Sequence, residues 1–301
     1  MTLDLSTKRW GVVVTHFNFE KSEGSPDQPW TSGSQDSKSQ HELGASPRLV
    51  GGTTFANKAP LDKFQVKLLT LAAIESMEET RKILTKWRRQ GQSLADIYLY
   101  GITDSARLIG ELWSADELDF VNITIAFSRL QRVMHEFSAE FLSEGKSESN
   151  GLSLLLMTEP GSQHGLGAFM LSEFFRHAGW RVMLMAPQDI GDFKRIFLSD
   201  WFDAVVLSIS TDRQIDKMAK AMPELRAATA NANLKIFLGG PMANISPERL
   251  NWPGTTLLFT DAGQTVERIT QVFDKSDTHT QTSPLQRSHT NHLELPKALK
   301  M

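Results

Sequence analysis

The stretch that decides the fold is Leu152-Ser-Leu-Leu-Leu-Met157, followed directly by Thr158-Glu-Pro-Gly-Ser-Gln-His164-Gly-Leu-Gly167. Its first six residues are a short, almost continuous apolar run, which is typical of a strand buried on both faces of a parallel sheet. The glycine-rich segment after it leads into a helical pattern over 167–178, and Gly179 is suited to end that helix. The stretch therefore predicts a strand, a loop and a helix in succession.

Strands and helices continue to alternate downstream of this unit. Further strands are predicted at 181–185, 204–207, 234–238 and 256–259, with helices at 190–198, 214–229 and 263–273. Strands that alternate with helices indicate a parallel sheet covered on both faces. Five such units predict a flavodoxin-like, doubly wound α/β domain over residues 151–275.

The preceding segment, 61–143, has a helical period. Apolar side chains recur at steps of three and four residues up to Gly91, which predicts one long first helix. Three later helices are indicated by possible caps at Ser93, at Asp104 and in the capping-box pattern Ser114-Ala-Asp-Glu117. We therefore predict a four-helix bundle, joined to the α/β domain by a polar linker at 144–150.

The two ends of the chain have a different composition. Residues 1–60 are mostly rich in Ser, Gly and Pro, which predicts a flexible N-terminal arm, and the polar residues 276–301 predict a disordered tail. Within the arm, 10–19 has strand character and is interpreted as either a docking peptide or a weakly ordered tail.

Composition excludes several classes of site. The 301 residues include no cysteine, which excludes disulfides, thiolate metal sites and iron–sulfur clusters. A net charge of −3 argues against a mainly electrostatic nucleic-acid binder. No signal peptide or membrane span is visible, so we expect a cytoplasmic protein. A basic cluster gathers near the end of the first predicted helix and consists of Lys82, Lys86, Arg88 and Arg89. It either contacts nucleic acid or a repressor, or it complements the helix dipole, so direct DNA contact stays open.

Three signals follow predicted strands, at the carboxyl ends where open α/β sheets bind their ligands. They are His164 after the first strand, Ser208-Ile-Ser210 after the third and Gly239-Gly240 after the fourth. Each has an ordinary structural alternative, since a loop histidine often caps the next helix and paired glycines often make a tight turn. Their order and spacing favour a shared binding site.

This set resembles the cobalamin-binding domain of corrinoid proteins, whose pattern is Asp-x-His-x-x-Gly, Ser-x-Leu and Gly-Gly. The resemblance implies that His164, in the segment that ends at Gly167, is the lower axial ligand of cobalt. It also implies that the dimethylbenzimidazole tail enters a slot between Ser208 and Gly239-Gly240. Two positions depart from the pattern: Ser162 replaces the aspartate that accepts the second imidazole proton, and Ser210 replaces the leucine.

The helical segment carries a second part of the resemblance. Corrinoid proteins often have a four-helix cap with a Trp followed by a Glu-His pair, and Trp113 has the corresponding place here. Its alternative interpretation is ordinary core packing. The Glu-His positions are Ile123 and Thr124, so the polar pair is missing.

Two further stretches, 110–113 and 120–131, resemble the AerR/PpaA-type regulators of purple photosynthetic bacteria and the C-terminal part of AppA-type sensors. The resemblance implies that cobalamin, or alternatively heme, is bound. It also implies an antirepressor role, triggered by light or redox state, on a transcriptional repressor of the PpsR/CrtJ type. Two other hypotheses remain: a corrinoid-binding methyl-transfer shuttle, and a cofactor-free adaptor. We expect no enzyme, because no catalytic constellation is visible.

Overall fold

The computed structural model describes residues 61–277. Its first part is helical, with a π-helix at Ile97–Ile102 and the following α-helices: α1 (Lys63–Glu75), α2 (Met77–Arg89), α3 (Leu94–Asp96), α4 (Thr103–Ser114) and α5 (Phe120–Ser143). Because α3, the π-helix and α4 are continuous, the segment consists of four helical rods.

The helix boundaries in the structure differ from the predicted ones. The expected long first helix is two helices, because Ser76 adopts extended angles (φ −161°, ψ 158°) and its side chain caps α2 by accepting from the Glu79 amide. Ser93 does cap α3, but Asp104 lies within the continuous rod and starts no new helix. The predicted capping box is also wrong. Ser114 ends α4, and Asp119 caps α5 by accepting from the Asn122 amide at 2.8 Å.

The second part is a parallel sheet with its connecting helices. The strands are β1 (Ser153–Thr158), β2 (Arg181–Met185), β3 (Ala204–Ser208), β4 (Lys235–Gly239) and β5 (Thr255–Leu257), in the order β2-β1-β3-β4-β5. The helices are α6 (Leu166–His177), α7 (Ile190–Phe197), α8 (Ile215–Ala228), α9 (Pro241–Ile245) and α10 (Ala262–Asp277), with a 3-10 turn at Pro247–Leu250. This confirms the predicted flavodoxin-like α/β fold.

Alternate residues of the central strands form one core. Leu155 and Met157 of β1 are completely buried and belong to an apolar cluster with Phe193 of α7 and Met218 of α8. Burial of such a side chain stabilises the fold by about 1.5–3 kcal/mol. The three central strands, β1, β3 and β4, are hydrophobic on both sides because helices cover both faces of the sheet. This is why the sequence shows continuous apolar runs there.

Helix α6 is the element that joins the helical part to the sheet. Phe141 of α5 packs against Phe174 of α6, with ring centroids 5.1 Å apart, and stacks on His177 at 4.6 Å. Near the other end of the same seam, His135 lies over Phe169 at 3.9 Å. The described residues up to Glu267 form one compact unit, and a second unit begins at Arg268 within α10.

The basic cluster on α2 faces acidic side chains. Arg88 forms ion pairs with Glu140 at 2.6 Å and with Glu144, both near the end of α5. Lys82 pairs with Glu78 and Glu79 on its own helix, at 2.8 Å each. These pairs account for two of the four cations, and they do not test direct DNA contact, which the sequence leaves open.

Several expectations fall outside the described range. The arm at 1–60 with its possible docking peptide and the tail beyond Asp277 are not described; the first two residues of the predicted tail belong to α10. Within residues 61–277, no helix combines the length and the apolar character needed to cross a membrane.

The seam between α5 and α6 predicts a pH-dependent stability. Burial lowers the pKa of His177 from its usual 6.5, while the charge of Glu144 acts in the opposite direction. The unfolded chain therefore binds more protons than the folded protein as the pH falls through 6.5, and the free energy of unfolding should decrease there. His177→Gln should flatten this slope in urea titrations at several pH values.

The slope should not vanish in that variant, since burial also lowers the pKa of His135 and of His164. An identical slope in His177→Gln and the unmodified protein would contradict the assignment.

Candidate functional site

The candidate site lies at the carboxyl edge of the sheet, where the chain order reverses. β1 pairs with β2 on one side and with β3 on the other. Thr158 is paired with Ser208, and Ser208 with Gly239, so the last residues of three adjacent strands lie in one row. Loops that leave the two sides of such a reversal diverge and open a crevice. The three predicted signals are therefore neighbours in the structure.

The first loop presents His164. Its turn includes Gly161 at φ +74°, and the backbone amide of His164 donates to the Ser162 hydroxyl at 3.2 Å. Gly165 occupies the N-cap position of α6, so His164 is not its N-cap residue. Burial lowers the pKa of His164, and the charge of Glu159 acts in the opposite direction. A half-buried imidazole kept neutral is suited to bind a metal through a ring nitrogen.

Glycine positions beside the imidazole leave open space. A Cβ atom added to Gly165 or to Gly167 would meet no heavy atom within 4 Å. Gly167 is exposed in the first turn of α6. Packing does not require these glycines, and the space that they leave is consistent with a bulky group next to His164.

The second and third loops are locked together. Ile209, between Ser208 and Ser210, is completely buried, and its amide donates to the Gly239 carbonyl at 2.9 Å. Gly240 has φ +89°, and a Cβ there would lie 2.6 Å from the Ile209 carbonyl oxygen and 2.7 Å from its nitrogen. The backbones thus approach more closely than any side chain allows. Ser208 and Ser210 remain half-buried at this edge.

Sequence reasoning missed Glu159 at this edge. It directly follows β1, is 1% exposed, and accepts hydrogen bonds from the amides of Ser210 and Thr211, each at 3.1 Å. A buried carboxylate needs such partners, since an unpaired one is costly. The only signal in the sequence was an acidic residue immediately after an apolar strand.

The helical part reaches the same edge of the sheet. Burial raises the pKa of Tyr100, in the π-helix, and the nearby carboxylate of Asp261 adds to this rise. Asp261 follows β5 and caps α10 by accepting from the Gln264 amide at 2.8 Å. Trp113 is half-buried in the last turn of α4, and its role as a cofactor ceiling stays a prediction.

The two positions of the missing Glu-His pair hold a buried apolar side chain and a hydroxyl that bonds within its own helix. Ile123 is 3% exposed, and the Thr124 hydroxyl donates to the Phe120 carbonyl at 2.8 Å. Neither side chain substitutes for the Glu-His pair of the pattern.

Comparison with known proteins agrees with this geometry. Residues 153–270 match the family model described as the B12 binding domain. The match starts with β1, and it includes the three loops of the site and most of α10.

The alignment with one relative extends over more of the chain than the match to the B12 binding domain does. This relative is the "Uncharacterized 20.5 kDa protein in bchF-crtJ intergenic region" of Rhodobacter capsulatus, which is 28% identical over 171 residues, 57% of this chain and 88% of that protein. Among solved structures, the monomethylamine corrinoid protein of Methanosarcina barkeri has a TM-score of 0.58 at 14% identity, covering 70% of this chain and 100% of its own. At that identity the likeness concerns the fold.

The contact between Gly240 and Ile209 gives a stability prediction. Gly240→Ala should destabilise the protein by at least about 1–3 kcal/mol, because it combines a left-handed backbone with a steric overlap. Gly110→Ala, within α4 and with nothing within 4 Å of the added Cβ, is the control and should stabilise by about 0.5–1 kcal/mol. Urea unfolding measures both, and equal effects would contradict the close approach.

Proposed function

We propose that this protein binds cobalamin and uses it to regulate a transcriptional repressor of the PpsR/CrtJ type, without being an enzyme. The observation that carries the cofactor assignment is the row formed by Thr158, Ser208 and Gly239, with His164 on the loop above its first member. The B12 binding domain match over 153–270 supports the same assignment independently.

The residues of the site fit a corrinoid in three respects. His164 would hold the cobalt through a ring nitrogen, and the open space at Gly165 and Gly167 leaves room beside it. At Gly239 an added Cβ would have no neighbour nearer than 3.8 Å, so this position would leave room for the nucleotide tail next to Ser208, whereas the backbone of Ile209 fills the corresponding space at Gly240. When bound, cobalamin supplies a cobalt atom that can carry an alkyl group, whose bond to the metal light can break.

Within the protein, α6 would transmit the effect of cofactor binding from the His164 loop to the helical part. This helix begins directly after the His164 loop, and its Phe169 and Phe174 pack against α5. A shift of the loop would therefore be passed to the helical part. A ligand changes such packing only to the extent that it binds the two arrangements with different affinity.

Support for the regulatory role comes from the relative and from the missing polar pair. The Rhodobacter capsulatus relative is named for a position beside crtJ, and the AerR/PpaA resemblance links such proteins to the CrtJ repressor. Ile123 and Thr124 stand where corrinoid proteins often have Glu-His, which favours regulation over a methyl-transfer shuttle.

The cofactor assignment predicts a retained visible spectrum. Full-length protein mixed with hydroxocobalamin and desalted should keep a corrinoid absorbance band, and His164→Ala should lose it. Loss of an outer partner of a metal ligand typically weakens binding about 10- to 100-fold, so loss of the ligand itself should weaken it at least as much.

His177→Gln is the matched control, because His177 is a buried histidine at the far end of α6. Hemin is tested in parallel. Retention of hemin but not of cobalamin, or equal cobalamin retention by His164→Ala, would contradict the assignment.

The regulatory role predicts an effect on repressor binding to DNA. A repressor of the PpsR/CrtJ type, bound to its operator in a mobility-shift assay, should be released by the cobalamin-loaded protein and not by His164→Ala. Operator occupancy that does not change with the loaded protein would overturn the antirepressor role while leaving cobalamin binding intact.

A further inference from the structure

Glu159 is a buried carboxylate inside the site that the proposed function does not use. It is the first residue after β1 and is 1% exposed. Its amide donates to the Ser208 carbonyl at 3.2 Å, which extends the pairing of β1 with β3 by one step. The side chain is therefore held at the point where the crevice opens.

Both oxygen atoms of this carboxylate are engaged by the loop after β3. The Ser210 amide donates to Oε2 at 3.1 Å, and Thr211 donates to Oε1 through its amide at 3.1 Å and through its hydroxyl at 3.3 Å. Hydrogen bonds to an ionised acceptor are roughly twice as strong as neutral ones. The conformation of residues 209–211 thus depends on Glu159.

The same loop sets the position of the glycine slot. The Ile209 amide donates to Gly239, and its carbonyl accepts from the Met242 amide at 3.0 Å. Fixing the loop after β3 therefore also fixes the turn after β4. The side chain of the residue after β1 thus contacts the loop after β3 directly and the turn after β4 through that loop.

We infer that Glu159 is the positioning residue of this site, holding the loop after β3 against the start of the His164 loop. This inference rests on the proposed cobalamin binding. Ser162 contributes a hydroxyl that accepts from the His164 amide at 3.2 Å, so it shapes the loop.

The test is Glu159→Gln, which keeps the size of the side chain but replaces one acceptor oxygen by an NH2 group facing a backbone donor. Titration with hydroxocobalamin should give a Kd weakened about 10- to 100-fold. The visible spectrum at saturation should also differ from that of the unmodified protein, because the loop after β3, at the edge of the proposed site, is held differently.

Glu173→Gln is the matched control. Glu173 is equally buried, at 1% exposed, but lies on α6 and bonds to Ser138 and to Arg176 at 2.8 Å. This variant should lower the thermal unfolding temperature, as Glu159→Gln does, while leaving the Kd and the saturated spectrum unchanged.

A second variant covers the case in which Glu159→Gln does not fold. Glu159→Asp keeps the charge but is one methylene shorter, so it cannot reach both Ser210 and Thr211, and its Kd should be intermediate. An unmodified protein that retains no cobalamin would overturn the proposed function. Binding through His164 with an unchanged Kd in Glu159→Asp or Glu159→Gln would overturn this inference alone.

Discussion

The reversal of strand order between β1 and β3 is the constraint on which the site depends. With β2 on one side of β1 and β3 on the other, the loops that follow β1 and β3 leave in different directions. The pairing register then places Thr158, Ser208 and Gly239 at one level. His164, the Ser208-Ile-Ser210 segment and the glycine pair come together because of this register, although up to 76 positions separate them along the chain.

The second consequence of this architecture concerns α6. One end of the helix continues from the candidate ligand loop, and its apolar side chains pack against α5. The candidate site and the packing surface against α5 thereby share one rigid element. This arrangement suits a protein whose output is a change in packing, and the proposed regulatory role uses it.

Predictions from the sequence succeeded where the signal was periodic and repeated. Apolar runs identified the five strands to within one or two residues. The signal was clearest in the central strands β1, β3 and β4, because strands covered on both faces must be apolar throughout. The helix starts were less accurate. Ser76 interrupts an apolar stripe that continues across it, and Asp119 caps α5 in preference to Ser114, so local capping decided boundaries that periodicity did not reveal.

The sequence by itself determined the fold class, the order of strands and helices, and the three loops with His164, Ser208 and the glycine pair at the carboxyl edge. Only the tertiary structure showed that a buried carboxylate holds the loop after β3 at this edge. Glu159 follows no recognisable spacing, and its importance arises from backbone amides that belong to the loop after another strand. Periodicity and motifs describe neighbours along the chain, whereas a buried charge is stabilised by donors that folding brings to it.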